Sequence, residues 1–430
     1  MKYQSIYFIL MALSTAVFSP LRSQTITLID ATDHGPIPYA TAEWIGFGRG
    51  VVADAEGLID VTDFPSNARF HIRSIGYQTC FKSLDSVVGD TVHLRPSVMQ
   101  LNEVVVRPLS PMDYIIRAMR KVKENYSRDS FATQNYYQEK LIENDAVISH
   151  IEAFVEVKQP GYRIEKDSFE VRIRAAKEAS SAQLTFMNKE LQKSRQKDHK
   201  KAKKEGRVVE ESELDAPLEL GSPPLLLYMD PLRHSGEKMS VNDHNVQFLD
   251  SSNTEHYTYW FGTPVQYGER SLVVIHFDQK EKVHKAMFSG TIWIDAESDA
   301  LTKISFGLSE RGMKYLTPGY VKAALWLYGL NYDIEHTLFE FNYAPFVGGW
   351  RLQSTRLEAK GALEKRRLFG PNDFSEFSYK CEMITTRTYS VRVPFSSEMV
   401  YQPKELLSGQ LKNVSEEQWN DLKRESRNFY

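Results

Sequence analysis

The stretch PIPYATAEWIGFGRGVVADAEGLIDVTDFPSNARFHIRSIGYQT occupies residues 36–79 and decides how the first part of the chain folds. Short runs of β-forming residues are cut by Gly, Pro and Asp at close intervals, which is typical of sandwich strands. Asp54 and Gly57 bracket a turn, because Asp can bond its own backbone and Gly adopts positive φ without steric cost. Gly76 ends a later strand, where we expect a side chain to obstruct a close approach. The sequence predicts a small β-sandwich at the front of a larger body.

Four short motifs follow one another along this region. They are Pro36-Ile37-Pro38-Tyr39-Ala40, Ala53-Asp54-Ala55-Glu56-Gly57-Leu58, Arg73-Ser74-Ile75-Gly76-Tyr77 and Leu101-Asn102-Glu103-Val104-Val105-Val106. Together they resemble the carboxypeptidase-like regulatory domain, a transthyretin-like sandwich common in envelope proteins of diderm bacteria. The chain departs from that family where the usual Gly before the first strand is absent, and where Leu58 replaces the more usual aromatic residue. The resemblance implies a sandwich over residues 25–107, an accessory module without catalytic residues of its own.

Composition places the chain among ordinary globular proteins with more than one domain. Its 430 residues suffice for two or three domains, and 42% hydrophobic with 25% charged residues permits a sizeable core. Aromatic residues make up 12%, which favours β-rich structure, because aromatic rings fit a pleated, half-buried surface. The net charge of −3 provides no field that attracts nucleic acid, so we expect no nucleic-acid partner.

Residues 1–24 have the features of a secretory signal peptide. Lys2 gives a weakly positive start, residues 6–18 are apolar but too short to span a bilayer, and Ser19-Pro20 ends the run before Ser23. The alternative is a buried N-terminal strand or helix. We expect an exported protein, periplasmic or associated with the outer membrane, whose mature chain starts near Gln24 and contains no transmembrane span.

A linker and a helix are predicted over residues 108–126. Two prolines, Pro108 and Pro111, fix φ and remove donors, and Ser110 can cap a helix that has Pro111 at its first position. Apolar residues recur there at helical spacing, and the basic residues Arg117 and Lys121 lie on the other face. That basic face is either solvated or in contact with anionic lipid.

Residues 127–430 are predicted to form a β-rich domain with a charged insertion at about 177–222. The predicted strands are residues 134–141, 146–157, 257–261, 271–277, 288–295, 300–308, 338–343, 350–357 and 379–393. We expect one large, curved, half-barrel-like antiparallel sheet with one or two packed helices, residues 112–125 and 415–427. The second of these helices begins with a Ser415/Gln418 capping box.

The hairpin GTIWIDAESDALTKISFGL at residues 290–308 carries a second resemblance. It is similar to a hairpin of the larger carboxypeptidase-like family of the same bacteria. It is also similar to outer-membrane lipoprotein carriers, whose half-barrels hold acyl chains, and this likeness implies a lipid-like ligand.

One face of the predicted sheet carries more apolar side chains than two helices can cover. Val273-Ile275-Phe277, Phe288-Ile292-Ile294 and Ile304-Phe306-Leu308 supply this face. A helix is about 10 Å wide and strands lie about 4.8 Å apart, so one helix covers roughly two strands. We therefore expect an open apolar groove for a ligand or partner. The alternative is that residues 319–330 and the segment near Leu225 fill this groove. Two interpretations of residues 319–330 stay open: a core strand or helix, or a lip that contacts membrane or ligand.

Motifs that carry chemistry are scarce. The chain has no HExxH, GxSxG, P-loop or GxGxxG motif. Asp295 and Glu297 could act as a glycosidase-like carboxylate pair, or be solvated turn residues. His34 and His244 are interpreted as loop residues. His276 is interpreted as a strand residue whose ring is hydrogen-bonded within the sheet. Cys80 and Cys381 lie in different predicted domains, and they are either free thiols or a disulfide that requires close docking.

Two classes of function follow. The first is a non-catalytic envelope protein that binds a partner protein or an apolar, lipid-like ligand, with no catalytic residue, cofactor or metal. The second is a hydrolase acting on envelope glycans or peptides. An apolar groove would favour the first class, and convergent carboxylates with perturbed pKa in a cleft would favour the second. The absence of a recognisable nucleophile, base and orienting residue favours the first.

Overall fold

The structure is a computed structural model. It describes residues 25–45, 49–61, 64–65, 67–87, 90–97, 109–162, 170–179, 230–233, 247–317, 329–346, 348–367, 369–390 and 414–427, with residues 196, 199–201, 203–204, 326–327 and 401. Within these ranges the chain is mainly β, with a large antiparallel sheet and few helices, so the predicted fold class is confirmed. The predicted signal peptide, the LNEVVV motif, Leu225 and His244 lie outside the described residues.

A two-layer sandwich forms the front of the chain. Its strands are β1 (Thr25–Asp30), β2 (Thr41–Trp44), β3 (Arg49–Val52), β4 (Leu58–Asp60), β5 (Arg69–Arg73), β6 (Cys80–Ser83) and β7 (Thr91–Leu94). In the described residues one sheet has the order β4-β1-β7 and the other β3-β2-β5-β6, and β1 pairs with β7 in parallel. Alternate residues such as Phe70 and Ile72 point into a core of their own between the two sheets.

The turn predicted at residues 54–57 is present. One carboxylate oxygen of Asp54 accepts hydrogen bonds from the backbone N–H groups of Glu56 and Leu58, at 3.0 and 2.8 Å. Gly57 has a φ of 74°, and a Cβ there would lie 2.7 Å from the carbonyl oxygen of Leu28. Gly76 differs from the prediction, because a Cβ there would meet nothing within 4 Å. Its φ of 85° is what requires glycine.

A second, larger antiparallel sheet follows. Its strands are β8 (Phe131–Glu143), β9 (Ala146–Gln159), β10 (Glu170–Ala179), β11 (Tyr257–Phe261), β12 (Val265–Tyr267), β13 (Arg270–Gln279), β14 (Phe288–Asp295), β15 (Leu301–Leu308), β16 (Leu330–Phe346), β17 (Gly349–Lys365) and β18 (Asp373–Ser390). The order among the described residues is β10-β9-β8-β18-β17-β16-β15-β14-β13-β11, and β12 also pairs with β13.

Several strands are longer than the sequence predicts. Strands β16 and β17 each have 17 residues and β18 has 18, because alternation of polar residues on both faces hides their outer halves from a hydrophobicity pattern. Strand β10 is an addition to the prediction, and its last residues, 177–179, lie in the range assigned to the charged insertion. The β8–β9 turn is as predicted: Asn144 and Asp145 both have positive φ, as a two-residue hairpin requires.

Both predicted helices are present. Helix α1 (Pro111–Arg120) starts with a capping box between Ser110 and Asp113, and a short helix α2 (Val122–Asn125) continues it. After the single turn α3 (Glu310–Met313), the terminal helix α4 (Glu416–Arg427) starts with the expected Ser415/Gln418 hydrogen bonds, both 3.2 Å long. No helix in the described part of the chain combines the length and apolar character that crossing a bilayer requires.

The apolar face of β13–β15 is closed, so the prediction of an open groove there is wrong. Ile292 is 0% exposed and Phe306 is 2% exposed. Phe248, from a 3-10 helix at Gln247–Leu249, lies on this face and stacks on Phe277 with ring centroids 4.2 Å apart. Helix α1 packs on β11 and β14 and buries Ile115 in the same core. A segment that the hydrophobicity pattern does not mark as a core element therefore takes the place of the expected ligand.

The opposite face of the large sheet is also covered in two places. Helix α4 places Trp419 against Phe154 of β9, with ring centroids 4.9 Å apart. Further along the sheet the sandwich lies over β16–β18, where Lys380 comes within 3.9 Å of Glu56. The sandwich and the large sheet therefore keep separate apolar cores and meet through polar side chains.

Because the cores are separate, we predict that a fragment of residues 25–107 folds without the rest of the chain. A seven-stranded sandwich of this length is close to the smallest size that is stable alone. The expected result is a dispersed amide NMR spectrum for the isolated fragment. A collapsed spectrum from the fragment, beside a dispersed one from the full chain, would show that the sandwich depends on the large sheet.

Candidate functional site

The junction between the sandwich and the large sheet contains a cavity of about 780 Å³. One wall is the outer face of the β3-β2-β5-β6 sheet, and the other is formed by the β12–β13 hairpin, the β14–β15 turn and the ends of β16–β18. Because strand residues alternate, Phe70 and Ile72 face the sandwich core while His71 and Arg73 face the cavity. We call this space the interdomain cavity.

Charged side chains of the sandwich line one wall of the interdomain cavity. Oε2 of Glu43 accepts a hydrogen bond from a guanidinium nitrogen of Arg73 at 2.6 Å, and Nε2 of His71 lies 3.1 Å from the same oxygen. Phe81, on the neighbouring strand, is 67% exposed and packs edge-on against the His71 ring. The wall thus offers a cation, an acceptor and an aromatic surface next to one another.

The β12–β13 hairpin fixes the other wall against the sandwich. The backbone N–H of Gly76 donates to the carbonyl oxygen of Gln266 at 2.9 Å. Gly268 has positive φ, and a Cβ there would lie 3.2 Å from the Arg73 side chain. Burial raises the pKa of Tyr267, while the charges of Arg73 and Arg270 act in the opposite direction. The hairpin holds Tyr267 between two cations at the cavity wall.

A row of charged residues lies beside the interdomain cavity, under the sandwich. Glu340, Arg356 and Glu382 are directly opposite one another on β16, β17 and β18, so their side chains share one face of the sheet. Glu358 and Lys380 form the next row on the same face, and Arg356 bonds Glu358. All three carboxylates are buried or nearly so, in the part of the sheet that the sandwich covers.

Glu382 has the most perturbed carboxyl group in this row. Burial and the carboxylates of Asp54 and Glu56 on the sandwich together raise its pKa to about 8, against the opposing charges of Arg356 and Lys380. Its Oε1 is buried and has no hydrogen-bond partner among the described residues. The shift depends on the docked sandwich, since both acidic neighbours belong to the β3–β4 turn.

The carboxylate pair considered in the sequence does not form a catalytic dyad. Asp295 is buried, bonds Arg270 at 3.0 Å and accepts hydrogen bonds from the backbone and hydroxyl of Ser298. Burial alone would raise its pKa, but these bonds hold the pKa below its usual value. Glu297 lines the interdomain cavity, and its backbone N–H donates to Asp295 at 3.1 Å. Asp295 is therefore a structural turn residue.

The basic face predicted for helix α1 is only partly exposed to water or lipid, because two of its basic residues bind a buried carboxylate. Arg117 donates two hydrogen bonds, 2.6 and 2.7 Å long, to the carboxylate of Asp299, and Lys121 donates another at 2.7 Å. Asp299 is fully buried, and its pKa is held low by these partners against the effect of burial. The helix is thereby fastened to the β14–β15 turn.

The remaining residues singled out in the sequence have ordinary surroundings. His276 bonds the Thr291 hydroxyl at 2.9 Å, as a satisfied sheet residue does, and His34 is a turn residue with a φ of 61°. Cys80 and Cys381 are both free thiols. Among the described residues no group of His, Cys, Asp and Glu could hold a metal ion.

Sequence reasoning missed two features of this region, the interdomain cavity and the Glu382 row. It also missed an HxxE spacing, His234-Ser235-Gly236-Glu237, which lies outside the described residues. Residues 378–382 show an alternating pattern with Lys380 and Glu382 on one face, so a polar outer face was readable there. What lies over that face follows only from domain docking.

Comparison with known proteins gives weak matches. No protein-family model matches the chain, and no curated protein matches its sequence. The structure is similar to that of a LolA superfamily protein from Nitrosomonas europaea, with 10% identity, a TM-score of 0.21, and coverage of 66% of this chain and 96% of that one. It is also similar to a DUF1329 family protein from Desulfovibrio piger, with 11% identity, a TM-score of 0.23, and 62% and 89% coverage. A third match is MucB in complex with MucA(peri), with 10% identity, a TM-score of 0.18, and 64% and 94% coverage. These scores are too low to establish a shared fold.

Proposed function

We propose that the chain is an exported, non-catalytic protein of the cell envelope that binds a segment of a partner polypeptide in the interdomain cavity. The observation that carries this proposal is the cavity itself. Its volume of about 780 Å³ falls in the range of about 300–1,000 Å³ that is usual for binding pockets. It also lies between two domains, where such sites are frequent.

The chemistry of the walls favours a peptide over a lipid chain. Arg73 and Arg270 offer donors, Glu43 and Glu297 offer acceptors, and Phe81 offers apolar surface, all within one cavity. A polypeptide segment presents backbone donors and acceptors together with charged and apolar side chains, and it can match such a lining. An acyl chain would remove water from these charged groups without offering them hydrogen bonds, which costs free energy.

The carboxylates near the junction argue against hydrolysis, the alternative function. Of those with a shifted pKa, Asp54 and Asp295 each accept the hydrogen bonds of a turn, and Glu358 is paired with Arg356. Glu382 is buried under the sandwich and does not line the interdomain cavity. A catalytic acid must reach the substrate within hydrogen-bond distance, and these groups do not face a space that a substrate could enter.

The proposal includes the export of the chain and the family to which the sandwich belongs. A signal peptide over residues 1–24 would deliver the mature chain to the periplasm or the outer membrane. We propose that residues 25–107 are a carboxypeptidase-like regulatory domain. The seven-stranded sandwich and the Asp54–Gly57 turn support this assignment, together with the motif order in the sequence.

The proposal is tested by selecting a random peptide phage library on the mature protein. We expect enriched peptides whose affinity falls about tenfold or more with Phe81→Ser, since a contacting aromatic residue at the centre of an interface is often worth about 2 kcal/mol. Glu297→Gln should weaken basic peptides further. The affinities are measured with synthetic peptides by fluorescence anisotropy.

The matched control is Phe374→Ser, an equally drastic change of an exposed phenylalanine at the far end of β18. It should leave peptide affinity unchanged. Peptides that bind equally well to the protein and to both cavity variants, or a library without enrichment, would refute the interdomain cavity as the binding site.

A further inference from the structure

The contact at which the sandwich covers the row of Glu340, Arg356 and Glu382 is incompletely hydrogen-bonded. Two buried polar atoms, Oη of Tyr39 on the sandwich and Oε1 of Glu382 on β18, have no hydrogen-bond partner among the described residues. Buried polar groups in folded proteins are nearly always paired, because an unpaired one loses its bonds to water without replacement. Two such atoms from different domains therefore weaken the docked arrangement.

Tyr39 has a strained backbone conformation at this contact. Its φ of 58° is rare for a bulky residue and persists only where the surroundings impose it. Burial raises the pKa of its hydroxyl and the charge of Glu382 adds to the shift, as expected for a hydroxyl close to that carboxylate. The backbone N–H of Tyr39 donates to the carbonyl oxygen of Ala53 at 3.2 Å, so Tyr39 and the β3–β4 turn form one contact surface.

Glu382 has no cation of its own in the described part of the chain. Arg356 bonds Glu358, and Lys380 lies 3.5 Å from the same Glu358 and 3.9 Å from Glu56. Both neighbouring cations therefore serve other carboxylates. A charged Glu382 would be buried without a bonded cation, which is strongly unfavourable.

The docked sandwich favours the neutral form of Glu382. Burial is the largest cause of its raised pKa, followed by the carboxylates of Asp54 and Glu56, while Arg356 and Lys380 act in the opposite direction. The titratable side chains around it are Lys380 on its own strand, Arg356 and Glu358 on β17, Glu340 on β16, Tyr136 and Lys140 on β8, Glu152 on β9, and Tyr39, Asp54 and Glu56 on the sandwich. Of these, only the sandwich residues leave when the domains separate. Separation removes two negative charges and readmits water, and both changes favour ionised Glu382.

The other end of the sandwich is fastened by uncharged groups. The backbone N–H of Gly76 donates to the carbonyl oxygen of Gln266 on β12 at 2.9 Å, and the Ser97 hydroxyl lies 3.5 Å from the side-chain oxygen of the same residue. These groups do not titrate near neutral pH. The lining of the interdomain cavity extends from Tyr267 at this end to Val52 beside the β3–β4 turn. The cavity therefore lies between an attachment that is independent of pH and one that depends on it.

From this arrangement we infer that the contact of Tyr39 and the β3–β4 turn with the Glu382 row is a proton-dependent latch of the sandwich. The latch is closed while Glu382 is protonated and opens when this carboxyl loses its proton, with the Gly76–Gln266 end as the hinge. Opening widens the interdomain cavity and controls how fast a polypeptide segment enters it. That consequence rests on the function proposed above, whereas the latch itself does not.

The direction of the pH dependence follows from the two states. Glu382 has a pKa of about 8 when the sandwich is docked and returns towards its ordinary value of 4.5 when it is not. The docked state therefore holds a proton that the open state releases. Docking is strongest in acid and weakens as pH rises from about 4.5 to about 8.

Fluorescence energy transfer between the domains tests the latch in the full mature chain. Dyes are attached at Asp85→Cys on the sandwich and Glu255→Cys on the large-sheet domain, two exposed positions, in a chain that also carries Cys80→Ser. The docking equilibrium constant should fall by up to about tenfold for each pH unit between about pH 5 and about pH 8, because opening releases one proton. Transfer efficiency should therefore change over this range in the parent chain and stay at its acid value in Glu382→Gln.

The matched control is Glu376→Gln, the same change at an exposed position of the same strand, which should keep the pH response of the parent chain. Tyr39→Phe removes the unpaired hydroxyl and should strengthen docking at every pH. Energy transfer that is independent of pH in the parent chain, an equal pH response in Glu382→Gln, or weaker docking of Tyr39→Phe would overturn the latch. Peptide selection at one fixed pH tests the binding site separately, so a failure of the latch and a failure of the site give different results.

Discussion

Replacing Phe248 by alanine is expected to lower the free energy of unfolding of the large-sheet domain by about 3–5 kcal/mol, the range for buried phenylalanine truncations. Phe248 is fully buried and lies between the rings of Phe277 and Phe306, with centroids 4.2 and 5.0 Å away. Its removal would leave an apolar cavity over β13–β15, at the place where the sequence predicted a ligand groove. Chemical denaturation followed by intrinsic fluorescence measures the change.

The control for Phe248→Ala is Phe369→Ala, the same chemical change at a side chain that is 92% exposed. We expect an effect within about 0.5 kcal/mol there, because surface substitutions away from packed features are nearly neutral. A small effect of Phe248→Ala would mean that residues Gln247–Leu249 leave the face readily and that the groove can open. That result would restore the apolar groove as a ligand site.

Glu382→Gln is expected to stabilise the protein, and the gain should increase with pH. Burial, together with the charges of Asp54 and Glu56, raises the pKa of this carboxyl to about 8, whereas an unfolded glutamate titrates near 4.5. The folded state therefore holds a proton that the unfolded state has lost, and the stability that Glu382 contributes declines as pH rises from about 4.5 to about 8. Gln keeps the neutral form at every pH. The gain should be close to zero near pH 4.5 and on the order of 4 kcal/mol above pH 8.

Glu358→Gln should show the opposite sign and the opposite pH dependence. Burial alone would raise the pKa of Glu358, but the hydrogen bonds and charges of Arg356 and Lys380 hold it below its usual value. Its stabilising contribution is present above the unfolded pKa and is lost as pH falls through the folded pKa. We expect a loss of about 1–3 kcal/mol at neutral pH that fades in acid.

Thermal unfolding of the parent chain and both variants at about pH 5 and about pH 8.5 measures this pair of effects. A pH-independent change in both variants would show that the sandwich does not desolvate this row of residues in solution. The comparison therefore also tests whether the two domains dock as the structure has them.

Local sequence signals predicted local structure well. The Ser110 and Ser415 caps, the Asp54–Gly57 turn and the Asn144-Asp145 hairpin are all where the sequence places them. Each depends on residues within about four positions of one another, so the chemistry that forms it is visible in a short window. Strand β14 was predicted with its observed bounds.

The predictions failed where a distant segment decides the outcome. The face of Ile292 and Phe306 was expected to be open because only two helices were counted as cover, yet Phe248 reaches it from a segment without a clear pattern. The sequence of residues 319–330 allowed two interpretations, a core element or an exposed lip. The described Trp326 and Leu327 are exposed, in agreement with a lip.

The sequence by itself determined the mainly β fold class, the sandwich at the front, the large antiparallel sheet and the capped helices, because alternation, turn residues and caps act over a few neighbouring positions. The tertiary structure alone decided what lies on each face of the large sheet. The interdomain cavity and the raised pKa of Glu382 each combine residues that are far apart in the chain, such as Phe81 with Glu297 and Asp54 with Glu382. Burial and electrostatic interaction depend on distances in space, and strand pairing and domain docking set these distances.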